Sequence, residues 1–171
     1  NVIKETIAGC LIKQSYSKLN DKHDSYFYSH ENPIETTFNK QEFIYLRDIA
    51  TGSTFEVKLI YHVDKEELFA KKLTSDDKKE LLECEINNYR KINYPLIPKY
   101  YGIIKDENSL IIDFINGQTL IDIKNMNFNK SDKCTIFFQL LMIFNYIHDN
   151  GFIYRDLKEN NVMVDDRKRV Y

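Results

Sequence analysis

Cysteine is scarce in this 171-residue sequence, and neither sign of charge dominates. The three cysteines, Cys10, Cys84 and Cys134, lie far apart and form no Cys-x-x-Cys pair, which argues against a zinc site. Their odd number favours a reducing compartment, so we expect an intracellular, cytoplasmic protein. With 24 basic and 26 acidic residues the net charge is −2, and nothing indicates nucleic acid as the main partner.

A long uninterrupted apolar run is also missing. The longest apolar stretch, residues 135–147, is shorter than the roughly 20 residues that a membrane-spanning helix needs, and Gln139 and Asn145 interrupt it. We therefore predict a buried core helix there and no membrane span. Residues 1–13 lack the basic start and the long apolar centre of a signal peptide.

The composition is otherwise that of a folded, water-soluble chain. Hydrophobic residues make up 43% and charged residues 29%, which suits a globular protein with a core. Residues 1–40 show no clear pattern, and we treat them as an N-terminal extension of unknown role. The basic run at residues 167–169 reads as a solvated turn.

From Phe43 onward the pattern becomes regular. Residues 43–49, 56–63 and 67–73 have the alternation of strands joined by short turns. In the second of these, Val57, Leu59, Tyr61 and Val63 alternate with other residues, which predicts one apolar face. Two further strands are predicted at 100–105 and 110–115, so we expect a five-stranded antiparallel sheet.

One helix is predicted between the third and fourth strands. Thr74 and Ser75 can cap its start, apolar residues recur at helical spacing through Ile92, and Pro95 marks its end. A short helix is predicted near 120–124 and a long one at about 131–149, which Asn150 and Gly151 close.

Glu85 lies inside the apolar stripe of the first helix, three residues after Leu82 and four before Tyr89. A carboxylate that faces the core needs a partner. In the preceding strand the alternation places Lys72 on the face of Ala70 and turns its neighbour, another lysine, the other way. We therefore predict an ion pair between Lys72 and Glu85.

A charged cluster follows the long helix. Arg155, Asp156, Lys158 and Asn161 are crowded into a few positions between apolar residues that would fix the loop to a core. Those apolar residues are Phe152, Ile153, Val162, Met163 and Val164.

This segment, Tyr154-Arg-Asp-Leu-Lys-Glu-Asn-Asn161, resembles the His/Tyr-Arg-Asp-Leu-Lys-x-x-Asn catalytic loop of eukaryotic protein kinases. The stretch Phe69-Ala-Lys-Lys72 resembles their Val-Ala-Ile-Lys strand. The resemblance implies an α+β, protein-kinase-like fold over residues 41–171. Its small lobe would span about 43–115, and about 116–171 would be the start of a mainly helical large lobe.

The resemblance also implies roles for residues, with ATP and Mg²⁺ as cofactors. Asp156 corresponds to the catalytic base, Lys158 to the lysine that neutralises the transferring phosphoryl group, and Asn161 to a Mg²⁺ ligand. Lys72 would hold the α- and β-phosphates, with Glu85 fixing its side chain. The remaining cofactor-binding residues that it implies are Ile49, Gly52, Val57, Ala70, Asp113, Ile115 and Met163, with Ile112 guarding the back of the adenine pocket.

Two departures from the family pattern bear on activity. The family's Gly-x-Gly-x-x-Gly-x-Val loop is here Ala50-Thr-Gly-Ser-Thr-Phe-Glu-Val57, which retains Gly52 but has Phe55 at the third glycine. The sequence also stops at Tyr171, before an Asp-Phe-Gly motif. We therefore expect this fragment alone to be inactive, and a partner or the rest of the large lobe to cover the long helix.

The resemblance thus implies an ATP-dependent kinase whose intact form phosphorylates serine or threonine in a protein substrate. The main alternative is a pseudokinase or regulatory binding module, and a weaker one is a small-molecule phosphotransferase. Purely structural interpretations also remain open. They are an ordinary ion pair between Lys72 and Glu85, a structural pair between Arg155 and Asp156, and a simple turn glycine at Gly52.

Overall fold

A computed structural model describes residues 34–123 and 128–171 of the chain. These residues form two compact units. The first contains residues 34–93 and Lys99–Phe114, and the second contains Tyr94–Pro98 and Ile115–Tyr171. Most of the predicted N-terminal extension lies outside the described residues, as does Lys124 at the end of the predicted short helix.

The first unit is built on a six-stranded sheet with the order β1-β5-β6-β4-β3-β2. Its strands are β1 (Thr36–Phe38), β2 (Phe43–Thr51), β3 (Glu56–His62), β4 (Glu67–Leu73), β5 (Tyr100–Ile104) and β6 (Ser109–Asp113). The five predicted strands are present, and all their mutual pairings are antiparallel. The sequence pattern did not predict β1, which runs parallel to β5 and makes the sheet mixed.

A glycine explains how β1 reaches the sheet. Gly102 in β5 has a φ of +143°, and a Cβ atom there would collide with the backbone of Thr36. Only glycine adopts this conformation without strain and leaves room for such a close approach. Lys105 N donates a hydrogen bond to Phe38 O at 2.8 Å, which extends the contact beyond the paired residues.

Both faces of β3 are buried, so the prediction of a single apolar face is wrong. Leu59 and Tyr61 pack into one cluster, whereas Ile60 packs into another on the opposite face. The second cluster includes Phe38, so β1 helps to cover the face opposite the predicted apolar one. Val63, predicted to lie on the apolar face, is 45% exposed.

Helix α1 (Lys79–Tyr89) follows a 3₁₀ turn at Asp76–Lys78. The turn begins after Ser75, whose backbone is extended as a cap residue requires. The predicted side-chain cap is wrong, because the Ser75 side chain makes no cap hydrogen bond and Thr74 Oγ1 donates to Thr54 O instead. The helix ends at Tyr89, so its predicted continuation to Ile92 is wrong. Leu82 and Ile86 are buried in a cluster with residues of β5 and β6, as their spacing predicted.

The second unit contains α2 (Leu120–Ile123), α3 (Lys130–Asp149) and a two-stranded sheet of β7 (Gly117–Thr119) and β8 (Met163–Asp165). Gly151 ends α3 with a φ of +80°, and the N–H groups of Gly151 and Phe152 donate to His148 O and Ile147 O. These two bonds form the glycine-dependent helix end that the sequence predicted. The core residues of this unit are Leu96, Ile123, Ile136, Ile143, Ile147, Val162, Val164 and Val170.

One side of α3 is buried, as expected of a core helix, and the other side is the exposed apolar surface that we expected a partner or the rest of the large lobe to cover. Phe137 and Phe138 are 62% and 63% exposed, and Leu141 and Met142 are 50% and 45% exposed. The helix carries apolar residues on all of its sides, so the periodicity of the sequence could not tell which side faces the core. No helix in the described part of the chain is long and apolar enough to cross a bilayer.

The basic run at 167–169 is not simply a solvated turn, because one of its side chains is buried and two have acidic partners. Arg169 is 8% exposed, and its Nε donates to Asp165 Oδ2 at 2.7 Å. Lys168 pairs with Asp132 on α3. Two of the three basic side chains therefore tie the end of the described chain to β8 and α3.

Candidate functional site

Lys72 of β4 and Glu85 of α1 form the predicted ion pair. Lys72 Nζ lies 2.6 Å from Glu85 Oε1, and the two side chains are 23% and 22% exposed. The pair is half-buried rather than enclosed in the core, so solvent and ligands can reach it. Burial of this degree makes the attraction stronger than at an exposed surface without the large desolvation penalty of a dry interior.

The neighbouring lysine confirms the alternation of β4. Lys71 points to the opposite face, where its Nζ lies 2.6 Å from Glu107 Oε2. Two adjacent lysines therefore have separate acidic partners on separate faces of the sheet. Lys71 can therefore serve as a control for Lys72, because it has a similar ion pair but lies outside the candidate site.

The turn that corresponds to the glycine-rich loop connects β2 and β3. Gly52 N donates to Phe55 O at 2.9 Å, and a Cβ atom at Gly52 would meet that oxygen at an ordinary 3.4 Å. The turn conformation seen here therefore does not require glycine at position 52. The Phe55 ring is half-buried, and its centroid lies 4.2 Å from Lys72 Nζ. Sequence reasoning treated Phe55 only as a lost glycine and missed this contact.

The apolar residues expected around adenine share one cluster in the first unit. Ile49, Val57 and Ile112 are partly buried there, and they pack against Ala70, which is 5% exposed. The cluster also contains Leu59, Tyr61, Leu68 and Phe114. The structure therefore brings together the predicted apolar residues of this unit on one face of the sheet.

Asp113, at the end of β6, uses its side chain to hold the backbone in place. Tyr101 Oη donates to its Oδ1 at 2.8 Å, and Lys99 N donates to its Oδ2 at 2.9 Å. Burial, together with the Asp113 carboxylate, raises the pKa of Tyr101, which keeps the phenol protonated as a donor. Any contact of Asp113 with a ligand would therefore come from its backbone.

In the second unit Asp156, Lys158 and Asn161 come together, as their spacing predicted. Lys158 Nζ lies 2.9 Å from Asp156 Oδ2, and Asn161 Nδ2 donates to the same oxygen at 2.8 Å and to Asp156 O at 3.0 Å. The hydrogen bonds from Lys158 and then Asn161 lower the pKa of Asp156, so the carboxylate is ionised at neutral pH. Arg155 has a φ of +58°, a strained conformation that turns the chain just before Asp156.

The apolar residues beside this loop do not all act as anchors. Phe152 packs against the core of the second unit, and Val162 and Val164 are each 4% exposed. Ile153 is 74% exposed, so its predicted role as an anchor is wrong. Met163 lies between the two buried valines and is only half-buried, because alternate residues of β8 face opposite sides.

The predicted site residues thus fall into two groups, one in each unit. The first unit carries Ile49, Gly52, Val57, Ala70, Lys72, Glu85 and Asp113, and the second carries Ile115, Asp156, Lys158, Asn161 and Met163. In the first, a lysine is set beside an apolar cluster. In the second, an ionised carboxylate is set beside an amide and an ammonium group.

Comparison with known proteins identifies one family. The model of one family, described as the protein kinase domain, matches residues 43–170. The carbon catabolite-derepressing protein kinase of Candida glabrata is 29% identical over 134 residues, which cover 73% of this chain and 22% of that protein.

Two further relatives give the same result. The serine/threonine-protein kinase PKH2 of Candida albicans is 32% identical over 129 residues, covering 72% of this chain and 13% of that protein. The CBL-interacting protein kinase 32 of Oryza sativa subsp. japonica is 29% identical over 135 residues, covering 77% of this chain and 28% of that protein. The chain therefore spans less than a third of the length of each of these relatives.

Proposed function

This chain belongs to the protein kinase domain family, and we propose that it is the ATP-binding part of a kinase that phosphorylates serine or threonine in a protein substrate. The observation that carries the proposal is the convergence of Lys158 and Asn161 on the Asp156 carboxylate. The name of one of the three relatives, the serine/threonine-protein kinase PKH2, supports this class of substrate.

Asp156 would accept or orient the proton of the substrate hydroxyl. Its lowered pKa keeps it deprotonated at neutral pH, as that role requires. The hydrogen bonds from Lys158 and Asn161 fix the orientation of its carboxylate. When a phosphoryl group is present, Lys158 is close enough to Asp156 to place a positive charge beside the reacting oxygens.

Asn161 is our candidate for a Mg²⁺ ligand. Its amide nitrogen donates to Asp156, which directs the group so that the amide oxygen is the atom offered to a cation. Mg²⁺ prefers oxygen ligands, so the chemistry of this donor fits the ion. When bound, Mg²⁺ would neutralise charge on the phosphates.

The first unit would bind the nucleotide. Lys72, oriented by Glu85, would contact the α- and β-phosphates. The cluster of Ile49, Val57 and Ala70 offers an apolar surface for adenine. The backbone of Asp113 would supply a hydrogen bond. Ile115 and Met163, which belong to the second unit, are further proposed nucleotide contacts.

Phosphate transfer by the full-length product of the gene tests this proposal. The change Asp156→Asn removes the acceptor but keeps the shape, and we expect kcat to fall by about 100-fold to 10,000-fold. The matched control is Asp166→Asn, an exposed aspartate in the turn after β8, which should leave kcat unchanged. Equal transfer by the Asp156→Asn variant and the unaltered enzyme would rule out the assigned role.

A second candidate function is that of a regulatory module with weak nucleotide binding. The contact of Phe55 with Lys72 favours it, because the ring occupies one side of the phosphate-binding lysine. This candidate predicts a full-length protein that folds but transfers no phosphate, with or without Asp156.

We also propose an intracellular location. Cys84 and Cys134 are both exposed and unpaired, and exposed thiols persist best in a reducing compartment. Imaging of the tagged full-length protein tests this proposal, and secretion into the medium would contradict it.

A further inference from the structure

The ring of Phe55 is placed directly against the ammonium group of Lys72. Phe55 lies at the end of the β2–β3 turn and packs against the cluster that contains Leu82 and Ile86 of α1. The 4.2 Å between its ring centroid and Lys72 Nζ is well within the roughly 6 Å at which a cation and an aromatic face attract each other.

This contact competes with any phosphate for the same ammonium group. Lys72 has three N–H donors, and one is directed to Glu85 Oε1 at 2.6 Å. A phosphate oxygen must approach Nζ to roughly 2.7–2.9 Å. The ring covers one face of the ammonium group, so a phosphate can use that face only if Phe55 moves away.

The turn that carries Phe55 is fixed to the rest of the unit. Thr74 Oγ1 donates to Thr54 O at 2.6 Å, and Lys78 Nζ donates to Ser53 O at 2.6 Å. Both donors belong to the segment between β4 and α1. Moving the backbone of Phe55 away from Lys72 therefore means disturbing a turn that is held by hydrogen bonds at the two residues before Phe55.

We propose that Phe55 is a specificity-determining residue that competes with nucleotide phosphates for Lys72, so that the site discriminates against ATP relative to adenosine. The inference rests on the proposed function, because it takes Lys72 as the residue that contacts the phosphates. Adenosine has the same base and ribose but no phosphate, so Phe55 should not affect its affinity.

Calorimetric titration of the chain with adenosine and with ATP in the presence of Mg²⁺ tests the proposal. The variant Phe55→Leu keeps an apolar side chain on α1 but removes the aromatic face, whereas Phe55→Gly restores the family's residue. In both we expect ATP to bind about threefold to thirtyfold more tightly, with the adenosine affinity unchanged. Should the leucine variant not fold, Phe55→Met fills a similar volume with a flexible side chain.

The matched control is Phe43→Leu. Phe43 is a partly buried phenylalanine on the other face of the sheet, and it packs against the cluster of Phe38 and Phe69. This change should lower the stability of the unit but leave the ratio of the two affinities unchanged.

The outcomes separate this inference from the proposed function. A leucine variant that improves ATP and adenosine equally, or that weakens ATP, would overturn the role of Phe55 while leaving nucleotide binding intact. If every variant, including Phe55→Gly, binds neither ligand, the proposed function fails and the inference with it.

Discussion

At the scale of single residues, the alternation of a strand decides which of two adjacent lysines faces the candidate site. Lys71 and Lys72 have the same chemistry and equally short ion pairs. Their difference is the face of β4 from which each projects. Lys72 lies with Phe55 and Glu85, whereas Lys71 reaches Glu107 on the side away from the candidate site.

The protonation of Asp156 predicts how the activity of the full-length enzyme depends on pH. Its pKa is lowered from 3.8, so the ionised form persists at neutral pH and is lost only as the pH falls through the lowered value. Removing the Lys158 hydrogen bond by Lys158→Ala raises that pKa, so the acid limb of the kcat/KM profile should move to higher pH. We expect this shift in pH-rate profiles of the full-length enzyme.

A second lysine in the same unit controls for general effects of charge. Lys168 pairs with Asp132 rather than with Asp156, so Lys168→Ala should leave the acid limb where it is. An acid limb that is unchanged or moves to lower pH in Lys158→Ala would contradict the assignment of the hydrogen bond.

Sequence patterns located polar side chains better than they located aromatic ones. The pairing of Lys72 with Glu85 followed from two periodicities, because a charge on an apolar face requires a partner. The contact of Phe55 with Lys72 depends on how a turn folds back, and no periodicity describes a turn. The sequence signal that could have found it was the replacement of a glycine by a ring next to a predicted cation.

At the scale of elements, β1 depends on a residue of another strand. A side chain at position 102 would be strained at a φ of +143° and would collide with the backbone of Thr36. Gly102→Ala should therefore lower the free energy of unfolding by about 1–3 kcal/mol, measured by urea denaturation. It should also speed hydrogen exchange of the Lys105 N–H, which is bonded to Phe38 O.

The matched control for this change is Gly52→Ala. A Cβ atom at Gly52 would make only an ordinary 3.4 Å contact, so we expect stability to change by less than about 0.5 kcal/mol. Equal losses in the two alanine variants would show that the close approach of β1 is not the reason for Gly102.

The segment before β1 makes a second testable contact with the unit. The Glu35 carboxylate accepts two hydrogen bonds from Arg90, at 2.8 and 2.6 Å, and one from Tyr100 at 2.9 Å. The Arg90 hydrogen bond is the main cause that lowers the pKa of Glu35 below 4.5. Because both charged side chains are more than a third exposed, we expect Glu35→Gln to cost only about 0.2–1 kcal/mol at neutral pH.

The sign of the pKa shift fixes how this cost changes with pH. The stabilisation is complete above the unfolded pKa and is lost as the pH falls through the lowered folded value. The difference in unfolding free energy between Glu35→Gln and the unaltered chain should therefore shrink in acid. A difference that stays constant from neutral pH down to about pH 3 would contradict a contribution from the Glu35 charge.

Elements were predictable where a local pattern specifies them, and not where distant residues do. The glycine end of α3 and the strands β2 to β6 follow from nearby residues. The strand β1 is only three residues long and forms because β5 accepts it, so its own sequence carries little signal.

At the scale of the whole molecule, one side of α3 leaves a group of large apolar side chains exposed. Phe137, Phe138, Leu141 and Met142 are each at least 45% exposed. Contiguous apolar surface of this kind favours association. We expect the chain to self-associate at high concentration, and Phe137→Ser combined with Leu141→Ser to reduce this, as measured by sedimentation velocity.

The control is Ile121→Ser, which changes a 37% exposed apolar residue on α2. It should leave the sedimentation profile unchanged. Equal sedimentation of all three proteins at the highest concentration would contradict a role of the α3 surface in association.

The central claim is that Lys72 contacts the phosphates of ATP, and one titration tests it most directly. The affinity of Mg²⁺–ATP is measured for the unaltered chain, for Lys72→Ala and for Lys71→Ala, which breaks an equally short ion pair on the opposite face. We predict that Lys72→Ala weakens binding by about 10-fold to 100-fold, whereas Lys71→Ala changes it by less than about twofold. Equal affinities of the two alanine variants for Mg²⁺–ATP would contradict the claim.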